Sequence, residues 1–197
     1  MVLGTHLILT AYGFWLPNDP RGSWSDFVGS WELARFGRAT KVETHRSLAA
    51  VPHDRGIRLA AKRALKYPPV RLDGRQARAI GRGFGEYVAR SGLTVWACAI
   101  LPEHVHLVLG PHRLGPAPVA NLLKGAATRR LLHEGIHPLA GFSTRTGGLP
   151  KAWARGYWAV FLGSPAAVRR AVGYVEANPA REGLPPQRWA FVTPYDR

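Results

Sequence analysis

Apolar and polar side chains alternate from Thr5 to Tyr12, and this period of two in a stretch rich in Leu, Ile and Thr predicts a first strand over 5–12 with His6, Ile8 and Thr10 on one face. Two further apolar runs, 93–100 and 104–110, are separated only by Leu101-Pro102-Glu103, a spacing that predicts an antiparallel hairpin. A fourth strand is expected over 156–162. Helical periodicity takes over elsewhere. Residues 55–90 read as two helices flanking Tyr67-Pro68-Pro69, and 118–134 as a third. The last begins at Ser164-Pro165, a serine N-cap followed by proline at the first helical position. In that helix Val168, Ala171, Val172 and Val175 form the buried stripe, while Tyr174 and Asn178 lie roughly 80 to 120° round from its centre. Pro179 is expected to end the helix soon after Asn178.

Between these elements, 13–30 carries Gly13, Pro17, Pro20 and Gly22 among aromatics and reads as a long loop, irregular but packed. Residues 140–152 are a Gly- and Thr-rich connection, and 188–197 is expected to run loosely over the surface. Strand, helix, strand, strand, helix, strand, helix is the order of an α+β sandwich, ferredoxin-like or RRM-like, with helices packed on an antiparallel sheet. At 197 residues the chain reads as a single domain over 1–197, with 13–30 as an elaborated loop and 164–179 as the helix of chemical interest.

Charge adds a partner class. Lys and Arg number 27 against 12 Asp and Glu, a net charge of +15, which points to a polyanion: nucleic acid or an anionic membrane surface. Between Arg55 and Arg90 ten basic residues face two acidic ones, an excess that ion pairing within the stretch cannot balance. No run reaches the ~18 to 20 apolar residues of a membrane span and no secretory signal opens the chain, so a membrane partner is not expected. The one cysteine, Cys98, rules out an internal disulfide and a cysteine-based zinc site, and fits a reducing cytoplasm.

The candidate chemistry lies in two places. His104 and His106 alternate along a strand, share a face and can offer ring nitrogens to one divalent ion, although such pairs are more often hydrogen-bonded core residues. Tyr174 and Asn178, four apart on a helix, put a phenol and an amide on one face. A nucleophile beside a Lewis acid suits phosphodiester transfer. His6 is a further possible contributor, Tyr157 a competing nucleophile by position, and Glu103 a turn residue rather than a base. Trp15, Arg21 and Trp24 are candidates for gripping unpaired nucleotides, the alternative being that the tryptophans cap the core. Lys124, Arg129 and Arg130 are candidates for DNA contact if their helix packs on the sheet.

Leu101-Pro102-Glu103-His104-Val105-His106 resembles the "LPEHxH" strand, and Tyr174-Val175-Glu176-Ala177-Asn178-Pro179 the "YxxxNP" helix, of the REP-associated tyrosine transposases within the HUH superfamily of single-strand DNA endonucleases. Thr5-His6-Leu7-Ile8-Leu9-Thr10, Gly13-Phe14-Trp15-Leu16-Pro17-Asn18-Asp19, Gly156-Tyr157-Trp158 and Gln187-Arg188-Trp189 are similar to one subgroup, so the resemblance spans nearly the whole chain. It implies an HUH endonuclease core. Tyr174 would be the single nucleophile, and His104, His106 and Asn178 would hold Mg²⁺ or Mn²⁺. The substrate would be single-stranded DNA with palindromic repeats folded as hairpins. The enzyme would act as a monomer or homodimer in a bacterial-type cytoplasm, associated with the nucleoid. Members of the broader superfamily often carry Gln or Glu where this chain has Asn178. The competing expectation is a structured-nucleic-acid binder of the same fold that does not cleave.

Overall fold

Alternation at the start of the chain yields β1 (Gly4–Thr10), which buries Leu7 and Leu9 on one face and turns His6, Ile8 and Thr10 to the other. The computed structural model describes residues 1–44 and 48–196. After a short helix α1 (Trp31–Ala34) and α2 (Arg55–Arg63), the chain enters α3 (Gly74–Ser91) through a reciprocal capping box between Asp73 and Gln76 and leaves it at Gly92, whose φ of 68° suits glycine. The expected hairpin follows as β2 (Val95–Ile100) and β3 (His104–Leu109). Next come α4 (Pro116–His133), β4 (Trp158–Leu162) and α5 (Pro165–Arg181).

The four strands form one antiparallel sheet in the order β2-β3-β1-β4. With α1 to α3 between β1 and β2, of which α3 packs on α4 beneath the sheet, and α4 between β3 and β4, this is the ferredoxin-like α+β arrangement that the element order predicts. Strand parity divides the interior in two. Leu7, Leu9, Val105, Leu107 and Leu109 face the main core with Ile80, Phe84, Leu123 and Leu131 from α3 and α4. Ala97, Ala99 and Val108 face a smaller core with Val168, Ala171 and Val175 from α5. α3 and α4 approach closely because Gly83 has no side chain: a Cβ there would lie 2.7 Å from the Ala126 carbonyl oxygen.

Two local expectations need correction. Pro179 does not end α5, which continues to Arg181 and closes through Glu182 N–H bonds to the carbonyls of Asn178 and Pro179. Its ring removes only one backbone donor, and the packing of buried Asn178 and Pro179 holds the extra turn in place. The terminal segment is not loose over its described residues, Arg197 lying outside them. Gln187 donates to Ile100 O and accepts from Ile100 N, Trp189 lies over the notch at Gly81, and Thr193 N donates to Val95 O. Residues 187–193 therefore strap the outer rim of β2. The loop 13–30 carries its own small core with Leu16, joined by Leu33 and Ala61.

Candidate functional site

Because β3 and β1 are central neighbours, their outward-facing residues meet under α5. Ile8 lies opposite His106 and Thr10 opposite His104, while His6 lies diagonal to His106. The rings of His104 and His106 are 4.8 Å apart between centroids. His6 Nε2 and His106 Nδ1 are hydrogen-bonded at 2.9 Å. Across from them α5 presents Tyr174, its ring centroid 5.6 Å from that of His106 and 5.9 Å from that of His6, edge-on to both. Helical spacing puts Asn178 one turn further on, and it is buried where Tyr174 is 43% exposed. The sequence candidates His104, His106 and Tyr174 thus come together, with His6 among them.

Burial sets the charge state of this cluster. It holds His6 and His104 down to about 4 and His106 down to about 2, the last helped by its two histidine neighbours. All three imidazoles are neutral near pH 7, the form that carries a lone pair for a cation or a hydrogen-bond donor. His104 Nδ1 and Asn178 Nδ2 are buried with no hydrogen-bond partner among the described residues. Among those residues no three His, Cys, Asp or Glu side chains make a ready cage for an ion. Two neutral imidazoles and an amide are nevertheless a donor set that could take a divalent ion, Mn²⁺ more readily than oxygen-preferring Mg²⁺.

Three residues outside the sequence candidates complete the surroundings. Phe14 stacks on His104 with centroids 4.7 Å apart and planes within 7°. Lys62 Nζ lies 5.6 Å above the Phe14 ring and 4.0 Å from Glu103, which sits in the hairpin turn as expected. The Arg181 guanidinium lies 5.2 Å over the Tyr174 ring. The seven-residue interval from Tyr174 to Arg181 is a helical repeat, so this last neighbour carried a readable signal; Phe14 depends on how the loop folds back and Lys62 on where α2 docks.

The remaining candidates are placed less centrally. Arg21 is largely buried, forming a bidentate pair with Asp19 at 2.8 Å and lying 3.8 Å over Trp15, whose Nε1 donates to Gly22 O. Trp24 packs on Trp158 of β4 with centroids 3.9 Å apart. Lys124 is buried on α4, across the sheet from the histidines, and its Nζ donates to the carbonyls of Ala154 and Gly156. Arg130 pairs with Glu86 and Glu134, while Arg129 is exposed. Tyr157 lies just before β4 and is exposed. Cys98 is buried, and its thiol is pushed far up by burial.

No helix among the described residues is long and apolar enough to cross a membrane. No family model and no curated protein sequence matches the chain. Among solved structures it resembles a REP-associated tyrosine transposase bound to a REP hairpin, at 14% identity over 93% of this chain and 70% of that one with a TM-score of 0.47. It also resembles a candidate transposase from Deinococcus radiodurans, at 18% identity over 89% of this chain and 90% of that one with a TM-score of 0.38.

Proposed function

We propose that this chain is a divalent-metal-dependent single-strand DNA endonuclease and strand transferase of the REP-associated tyrosine transposase kind, acting on hairpin-forming repeats. The observation that carries the reading is the meeting of Tyr174 with His106 and His6 beneath α5, beside His104. Tyr174 is exposed enough to reach a phosphodiester, yet its ring is held on one side by the two imidazoles and on the other by Arg181.

In the proposed reaction the Tyr174 phenolic oxygen attacks phosphorus and forms a P–O bond as the bond to the 3′ oxygen breaks. The phenolic proton is lost to the solvent, and the leaving oxygen takes up a proton as a free 3′-hydroxyl. The 5′-phosphotyrosyl linkage keeps the phosphodiester's free energy, so a second 3′-hydroxyl can reverse the step on another strand without ATP. His104, His106 and Asn178 would hold the metal, which when bound withdraws charge from the non-bridging phosphate oxygens. Arg181 sits beside the nucleophile, where a guanidinium can pair with phosphate. The net charge of +15 supports retention of the strand before and after cleavage.

The test is incubation with Mn²⁺ and labelled single-stranded hairpins from repeats flanking the gene, followed by denaturing electrophoresis. A protein-linked product that disappears in Tyr174→Phe is expected. Tight binding with no adduct across a broad hairpin set would instead identify the non-cleaving binder.

A further inference from the structure

We propose that His6 is a positioning residue for His106: it accepts the Nδ1 proton of His106 and so leaves His106 Nε2 as the nitrogen available to a cation. The inference rests on the reading of His106 as a metal ligand and adds to it a residue that determines which ring nitrogen ligates.

A neutral imidazole carries one N–H and one lone pair. His6 Nε2 and His106 Nδ1 stand 2.9 Å apart, so one donates and the other accepts. If His106 accepts at Nδ1, its own proton is on Nε2 and that nitrogen cannot ligate. If His106 donates at Nδ1, Nε2 keeps its lone pair, and His6 carries its own proton on Nδ1. Only the second arrangement prepares His106 for a metal. A ligated imidazole also makes its remaining N–H a stronger donor, so metal and hydrogen bond reinforce one another.

The fold makes this contact local and rigid. His6 lies on β1 opposite Val108, two residues along β3 from His106, within the central strand pair of the sheet. The same ring meets the Tyr174 ring edge-on, so His6 touches both the ligand and the nucleophile. A phenylalanine at position 6 would keep an aromatic ring against Tyr174 but remove the acceptor. A glutamine would keep an acceptor near the place of Nε2.

The test measures Mn²⁺ binding to the full chain without DNA, from the electron paramagnetic resonance signal of free Mn²⁺. His6→Phe is expected to weaken binding ~10- to 100-fold and His6→Gln by less than about threefold, with the melting temperature of each metal-free variant checking the fold. Nitrogen-15 shifts of the Mg²⁺-loaded wild-type protein read the tautomer directly and do not depend on any variant folding. Protonated Nδ1 on His106 is expected. A proton on His106 Nε2, or equal Mn²⁺ affinity in His6→Phe, overturns the inference. Where wild-type binding is present and lost in His106→Ala, that result leaves the metal reading standing; a wild-type protein that takes up no Mn²⁺ defeats both.

Discussion

Lys124 and His106 illustrate how one sheet can give two polar residues opposite surroundings. Both are buried, but His106 faces α5 with Tyr174, whereas Lys124 extends from α4 to the carbonyls that lead into β4. Burial lowers the Lys124 ammonium to about 8, yet it remains a donor to two carbonyls in either protonation state. Lys124→Met should therefore cost about 1 to 3 kcal/mol in urea denaturation by leaving those acceptors unmet, with little effect on hairpin affinity. Unchanged stability with weakened hairpin binding would assign Lys124 to DNA contact instead. At this scale the sequence motifs made His104, His106 and Tyr174 readable. Nothing local could reveal the 2.9 Å contact of His6 with His106, because it depends on β1 lying beside β3 across a hundred residues of chain.

The elements were legible where local chemistry marks them. Alternation identified β1, the short Leu101–Glu103 connection identified the hairpin, and Ser164-Pro165 started α5, where the serine Oγ accepts from Ala167 N. Pro179 misled because proline is a local signal, while continuation of α5 is decided by burial of the residues around it. Residues 187–193 escaped because their order comes from single contacts with α3 and β2 and has no period. The same distinction governs two glycines. Gly83→Val should destabilise the protein by ~3 kcal/mol or more, since its Cβ would meet the backbone of α4. Gly173→Ala, in open space on α5, should stabilise it by about 0.5 to 1 kcal/mol through the unfolded chain. Equal denaturation midpoints for the two variants would contradict the close approach of α3 to α4.

Across the whole molecule, three neutral histidines in one interior make stability depend on pH. In the unfolded chain each titrates near its ordinary value of about 6.5; in the folded protein His6 and His104 do so near 4 and His106 near 2. Between those values the unfolded state binds more protons, so the stability present above about pH 6.5 is lost as the pH falls. With metal chelated, urea denaturation at pH 7 and pH 4.5 should differ by several kcal/mol, and His6→Gln should reduce the difference. A flat profile would mean that the cluster is hydrated rather than dry.

The strap over β2 has a consequence for the chain's solubility. An unprotected outer strand displays main-chain groups in the spacing that another strand recognises, whatever its sequence. Here the Gln187 amide copies a strand's donor and acceptor at Ile100, and Thr193 meets Val95 further along. The tail thus supplies imitation pairing that occupies the β2 side of the sheet, and a protein clipped before Gln187 would expose that side as a template for its own polymerisation.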